Sequence, residues 1–428
     1  MKKMKASQFA VDRQFEYGTP EQNETVQAVI RDVQERKDAA LLEWTEKFDR
    51  VRIDQLKVSQ KQIDDAYGQV DEAFLNSLRK AMQNIRVFHE KQKRSSWMDL
   101  QPDGTMLGQV MRPLKRVGVY VPGGKAAYPS SVLMNVIPAQ VAGVEEIVMV
   151  TPPASGGVAG IHPAILVAAN ELGIREIYGV GGAQAIAALA YGTETIQPVD
   201  KICGPGNIFV ALAKRYVYGA VAIDSIAGPT DIVVFADGKA NPEYVAADML
   251  SQAEHDEMAS AILVTDSQQL AQQVEEQLEQ QLSRLQRREI AQASLDKNGA
   301  ILIADSLEEG MQAVNRIAPE HLELMVEEPL RWLGRVENAG AIFMGPYSSE
   351  PVGDYFAGPN HILPTNGTAR FSSPLNVDDF MKKSSVIYFT KEALLENGEH
   401  ITRLAYSEGL EAHAKAIEVR LRKEGNQE

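Results

Sequence analysis

The sequence predicts an α/β protein with two parallel-type sheets, a helical N-terminal segment and a small C-terminal segment. Three observations lead to this. From about residue 106, short β-rich runs alternate with helical runs. Glycine turns stand between several of those runs and the next helix. Residues 19–100, ahead of them, read as helical. Strands alternating with helices imply βαβ units and hence parallel sheets. So many strands imply two sheets rather than one.

Thr19-Pro20-Glu21-Gln22 combines an N-cap, a proline at the first helical position and a glutamine three residues after the cap. Leu75, Leu78, Met82 and Ile85 follow 3-4-3 spacing and form an amphipathic stripe for core packing. Strands are expected at 117–121, 146–150, 176–180, 199–203, 231–235, 261–265, 300–304 and 341–344. The apolar stretch 132–150 reads as a buried helix end followed by a strand. Residues 266–295 read as one long, polar, glutamine-rich surface helix. Residues 345–376 break the pattern with glycine, proline, serine and asparagine. So long a run inside a compact domain is functional or disordered. Its aromatics and its single histidine, His361, argue for an ordered, functional loop. A strand at 385–390 and helices near 391–405 and 408–424 close the chain. There is no internal repeat and no low-complexity tract.

The composition, 44% hydrophobic and 24% charged, is that of ordinary globular protein. A net charge of −15 without basic clusters argues against nucleic acid and is congenial to a cationic ligand. The one cysteine, Cys203, precludes intramolecular disulfides and suits a reducing compartment. The N-terminal lysines lack the apolar region of a signal peptide. No apolar run reaches the roughly 18 residues of a membrane span. A cytoplasmic protein without membrane partners is expected.

Gln252 and His255, three apart at the end of the apolar-periodic run 246–253, share a helix face and make half a metal site. Histidine is scarce, with seven in the chain. In Glu320-His321, a carboxylate beside an imidazole could divide acid and base work; from the motif alone, a helix-to-strand junction whose polar residues face water is the favoured reading. Asp354 and His361 lie among glycines and prolines that aim their side chains, or form a capped turn. Glu408 and His413 fall on the last helix, where the plain reading is a solvated face. His89, His162 and His400 read as surface residues. Gly179-Val180-Gly181-Gly182-Ala183-Gln184, Gly204-Pro205-Gly206-Asn207 and Val121-Pro122-Gly123-Gly124 each follow a strand, and the first two open a helix. That geometry presents a helix N-terminus to phosphate. None matches G-x-G-x-x-G cleanly, yet three together point to a nucleotide-binding domain. Cys203 is either a thiolate nucleophile or a small buried hydrophobe. No partner is evident nearby, which favours the second.

Together these motifs resemble the histidinol dehydrogenase family. The resemblance rests on Ser251-Gln252-Ala253-Glu254-His255-Asp256, Pro319-Glu320-His321-Leu322, Gly353-Asp354-Tyr355, Gly358-Pro359-Asn360-His361 and Glu408-Gly409-Leu410-Glu411-Ala412-His413, with two of the glycine turns. These blocks stand in the family's order over nearly the whole chain. The resemblance implies two Rossmann-like domains in an intertwined homodimer. The implied parts are an N-terminal arm (1–24), a discontinuous α/β domain with the catalytic and metal residues (25–111 and 228–376), an NAD-binding domain (112–227) and a C-terminal dimerisation segment (377–428). It implies oxidation of L-histidinol to L-histidine through L-histidinaldehyde with two NAD+, the last steps of histidine biosynthesis.

By the same resemblance, one zinc ion per subunit is held by Gln252, His255, Asp354 and His413, the last from the partner. Two imidazole nitrogens and two oxygens make a reasonable zinc shell, which the substrate's imidazole and amine complete. His321 becomes the general base of both oxidations and Glu320 the activator of water. Thr230, His361 and Glu408 join the metal ligands and His321 in contacting substrate, with Glu408 also crossing from the partner. Tyr120, Gln184 and Asn207 match NAD-contacting positions. Thr230-Asp231 stands where the family commonly has Ser-Glu; the threonine keeps a hydroxyl and adds a methyl. Two other readings remain: a metal-independent aldehyde dehydrogenase using Cys203, and a non-catalytic nucleotide-binding protein.

Overall fold

The computed structural model describes residues 1–11, 18–123, 127–153 and 160–422. Gly124 and part of the N-terminal arm lie outside them. The strands in chain order are β1 (Lys2–Lys5), β2 (Trp97–Leu100), β3 (Met106–Pro113), β4 (Arg116–Tyr120), β5 (Glu146–Thr151), β6 (Glu176–Gly179), β7 (Lys201–Cys203), β8 (Ala222–Ile223), β9 (Asp231–Ala236), β10 (Ser260–Thr265), β11 (Ala300–Ile303), β12 (His321–Met325), β13 (Ala341–Met344) and β14 (Met381–Tyr388).

Two compact units result. Met1–Gln92 with Leu114–Phe380 form the first, and Lys93–Pro113 with Met381–Glu428 the second. The first unit contains both parallel sheets, ordered β1-β11-β10-β9-β12-β13 and β6-β5-β4-β7-β8. Each sheet steps outward from its first long strand (β9 or β4), then returns to that strand's other side (β12 or β7). Such a reversal opens a crevice between the two strands concerned, the place where doubly wound sheets bind ligands. The central strands are runs such as Ile232-Val233-Val234-Phe235, wholly buried, as befits parallel strands covered on both faces. The second unit holds the antiparallel sheet β14-β3-β2 and the helices Lys391–Ser407 and Glu411–Leu421.

The expected α/β class and all eight expected parallel strands are present. The Thr19 capping box forms, with Thr19 and Gln22 bonding reciprocally. Leu75, Leu78 and Ile85 are buried, with Ala81 filling the stripe and Met82 only half-buried.

Three expectations fail for physical reasons, and one strand, β1, was not expected. Residues 97–100 are not helical: they form β2, because Pro102-Asp103-Gly104 makes a turn into β3, with Gly104 at φ +81°. The helix expected over 266–295 is two helices, Gln268–Leu282 and Arg288–Asn298, the break falling after Ser283. Its glutamines disguise a buried face of Leu270, Val274, Leu278 and Leu282. Lysine-rich β1 pairs with the sheet edge, where charged strands discourage further pairing. His89 is not a surface residue but fully buried. Its Nδ1 lies 2.8 Å from the Ile85 carbonyl oxygen, and burial lowers its imidazole below the usual value. His162 and His400 are exposed as expected, and His162 caps the helix Pro163–Glu171. Among the described residues no helix is long and apolar enough to cross a membrane.

Candidate active site

β9 and β12 are paired in parallel, with His321 in register with Ile232. That pairing sets Thr230-Asp231 beside Glu320-His321 at the amino ends of two central strands. Glu320 N donates to Asp231 Oδ1 at 2.9 Å, and Asp231 N donates to Glu320 Oε2 at 3.2 Å. The helix Pro242–Ala253 runs back from β9 and delivers Gln252, fully buried, to the same end. His255 does not share that helix's face, because the helix stops at Ala253. A tight turn, with His255 N donating to Gln252 O at 3.3 Å, brings the two together instead.

With its amide nitrogen toward Glu350, Gln252 donates to both Glu350 oxygens, at 3.3 and 3.1 Å, and its oxygen accepts from Thr230 Oγ1 at 2.7 Å. Thr230 Oγ1 also lies 2.5 Å from Glu320 Oε2. A hydroxyl has one proton. If it goes to Gln252, the Glu320 carboxyl is the donor in the second contact. Glu320 suits that protonated state: burial pushes it up to about 8.

His321 is 3% exposed. Burial alone would lower its imidazole, but Glu320, Asp354 and Glu350 outweigh burial and raise it to about 10. Nδ1 lies 3.1 Å from the Asp231 carbonyl oxygen. Two groups meet this nitrogen: the Asp231 carbonyl, which only accepts, and the Gln252 amide nitrogen at 3.2 Å, which only donates. Nε2 is buried without a hydrogen-bond partner among the described residues and sits 3.8 Å from Asp354 Oδ1. Raised to about 10, the ring carries a proton on Nε2 at neutral pH, so it can act as a general base only once added positive charge nearby removes that proton.

His255, Glu350 and Asp354 each offer one atom, all within 4.8 Å of one another. A nitrogen and two carboxylate oxygens suit zinc or another divalent cation. Asp354 comes from the π-helical turn Gly353–Ala357 and Glu350 from the adjoining helical turn Glu350–Val352, so the 345–376 segment is ordered at the site. His361 braces this turn: its Nδ1 lies 3.0 Å from the Asp354 carbonyl oxygen and its Nε2 3.3 Å from Ser131 Oγ. Glu350 and Ser131 escaped the sequence reading. Glu350 is 2% exposed, which pushes it up to about 7, and its N donates to the buried Glu323 at 2.9 Å. A glutamate in a loop with few charges was the available signal. Glu408 and His413 are exposed and belong to the second unit.

Tyr120, Gln184 and Asn207 line a cleft of about 560 Å³ at the carboxyl ends of β4, β6 and β7. Asn207 caps the helix Ile208–Val217, its Oδ1 accepting from Phe209 N and Val210 N. Both amide atoms of Gln184 are buried without a partner among the described residues. They are free to bond a nucleotide, which fits a cofactor pocket. Cys203 is fully buried, which pushes its thiol well up, so it serves as a small hydrophobe.

Residues 13–421 match the family described as histidinol dehydrogenase. The chain belongs to the histidinol dehydrogenase family. It is 60% identical over 415 residues to histidinol dehydrogenase from Halalkalibacterium halodurans, covering 97% of each chain. It is 56% identical over 418 residues to that of Bacillus subtilis, covering 98% of this chain and 97% of the relative. A crystal structure of histidinol dehydrogenase from Elizabethkingia anophelis superposes with a TM-score of 0.93 at 40% identity, covering 98% of both chains. As a member of the histidinol dehydrogenase family the protein is an NAD-dependent oxidoreductase of histidine biosynthesis. The readings as a Cys203 aldehyde dehydrogenase and as a non-catalytic nucleotide binder fall away.

Proposed function

We propose that the protein oxidises L-histidinol to L-histidine in two successive two-electron steps, through L-histidinaldehyde, with His321 as the base of both. The observation that carries this is the buried Nε2 of His321, without a hydrogen-bond partner among the described residues and beside Asp354, with Nδ1 facing the Asp231 carbonyl. Zinc held by Gln252, His255, Asp354 and the partner subunit's His413 would anchor the substrate's imidazole and amine and add positive charge that favours a neutral His321, while NAD+ would take the hydride.

In the first step His321 Nε2 removes the alcohol proton as hydride leaves the carbon. Glu320, once ionised, takes a proton from the water that attacks the aldehyde, while His321 returns its proton to the aldehyde oxygen, so that the hydrate forms and the imidazole is free again. His321 then takes the proton of the resulting hydrate as the second hydride leaves. Thr230 holds Glu320 and Gln252 in place, while His361 and the partner subunit's Glu408 contact substrate. Glu350 accepts from Gln252 and so turns the carboxamide oxygen away from itself. Tyr120, Gln184 and Asn207 bind NAD+. This reading makes residues 112–227 the NAD-binding domain, residues 25–111 with 228–376 the catalytic domain, 377–428 the dimerisation segment and 1–24 an arm, in a cytoplasmic homodimer.

The test is His321→Ala. NADH formation from histidinol should vanish while bound zinc, measured by elemental analysis, stays at the wild-type level. Substantial turnover in that variant would sink the assignment of the base.

A further inference from the structure

We propose that Asp49 binds the adenosine ribose hydroxyls of the dinucleotide and thereby selects NAD+ over NADP+. The proposal rests on the NAD+ reading of the cleft at Tyr120, Gln184 and Asn207. One wall of that cleft comes from the β4/β7 crevice. The opposite wall comes from two N-terminal helices, Pro20–Arg36 with Thr25, Val26 and Val29, and Asp38–Asp49 with Phe48 and Asp49 at its end.

In a doubly wound nucleotide-binding sheet, an acidic residue near the end of the second strand commonly takes the ribose hydroxyls. Here the second strand is β5, and it runs out into Thr151-Pro152-Pro153, with no carboxylate. Pro152 and Pro153 line the cleft and offer no side-chain acceptor. The acid missing from the sheet is supplied from outside it. Asp49 Oδ2 is buried, lines the same cleft and has no hydrogen-bond partner among the described residues. A buried carboxylate oxygen without a donor is costly unless a ligand supplies one.

Gln184 makes the second, independent observation. It is fully buried, and both its amide atoms are also without a partner in that cleft. Two polar side chains with unpartnered atoms, both lining one cleft, suit a ligand that carries hydroxyl groups. No lysine or arginine is among the described residues lining the cleft. At Asp49 a 2′-phosphate would meet a like charge, whereas a 2′-hydroxyl donates to that carboxylate. Burial pushes Asp49 up to about 6, so it is still largely ionised at neutral pH.

The experiment uses the zinc-loaded full-length protein and titrates NAD+ and NADP+ separately by calorimetry, alongside KM for each with histidinol. Asp49→Asn and Asp49→Ser should raise Kd for NAD+ about tenfold or more and lower the NADP+/NAD+ ratio of Kd by at least about tenfold. Asp49→Glu, which keeps the charge, should retain discrimination against NADP+. Equal weakening toward both cofactors in Asn, Ser and Glu variants would mark a structural role and overturn the proposal. So would unchanged ratios. A wild-type protein that binds neither nucleotide would overturn the cofactor reading itself, and with it this one. Wild-type binding of NAD+ with unaltered ratios in the variants would remove Asp49 alone.

Discussion

Thr230 joins two functions through a single hydroxyl. Its Oγ1 touches the Gln252 carboxamide and the Glu320 carboxyl, so it ties the proposed metal ligand to the proposed water activator. Thr230→Ser keeps the hydroxyl and should keep activity within a few-fold. Thr230→Val keeps the shape but leaves a buried carboxyl without its partner. It should lower kcat/KM about ten- to a hundredfold, the equivalent of about 1–3 kcal/mol; steady-state NADH assays at matched zinc content measure this. Equal activity of the valine and serine variants would exclude the hydroxyl from the site. Thr230 was reached through a resemblance rather than through its own chemistry. In sequence it is one more threonine before a strand, and its importance arises only when β9 and β12 pair. Glu350 was missed for the same reason: its partners Gln252, His255 and Glu323 come from two other segments of chain.

The turn after β7 shows how an element makes a site. Gly204 has φ +112°, and a Cβ there would lie 2.0 Å from the Tyr120 carbonyl oxygen. Only glycine lets this turn pass close to β4 and start the helix capped by Asn207. Gly204→Ala should destabilise the protein by about 2–4 kcal/mol and weaken NAD+ binding, read by thermal melting and nucleotide titration. The helix Glu72–Glu90 is sensitive to pH through His89. Neutral His89 donates from Nδ1 to the Ile85 carbonyl, and its Nε2 faces Asn360 Nδ2 at 3.5 Å. Its folded pKa lies below the unfolded value near about 6.5, so below that pH the unfolded chain binds a proton the folded chain refuses. Stability should fall on acidification from about pH 6.5, by up to about 1.4 kcal/mol per pH unit from this group. His89→Gln should flatten that part of the denaturation profile; an unchanged slope would show that other groups govern it. His89 looked solvated because charged neighbours surround it in sequence, while the helix buries it beside Leu75, Leu78 and Ile85. The parallel strands were legible because strands buried on both faces are continuous apolar runs. β1 and β2 were not, because an edge strand of lysines and an exposed strand of Trp97, Met98 and Leu100 carry no such pattern.

On the scale of the whole molecule, the residues proposed for the site are divided between two compact units. Thr230, Gln252, His255, Glu320, His321, Asp354 and His361 belong to the first, whereas Glu408 and His413 belong to the second. The order of motifs along the chain names all of these residues, but it has no information about which copy of the chain serves which site. That assignment is a property of assembly, and subunit mixing reads it. His321→Ala lacks the base and His413→Ala lacks the ligand proposed to cross to the partner, so each homodimer should be inactive. In a hybrid dimer one site combines the intact His321 of the His413→Ala subunit with the partner subunit's His413, while the other site loses both. Random exchange makes half the dimers hybrid, each with one intact site of two, so activity should recover to on the order of a quarter of wild type. Sites built within one chain predict no recovery at all, because every subunit in the mixture carries a lesion. Native mass spectrometry of the mixture establishes that hybrids have formed. Hybrids present without activity would place His413 in the same subunit's site, and an active His413→Ala homodimer would place it outside the site.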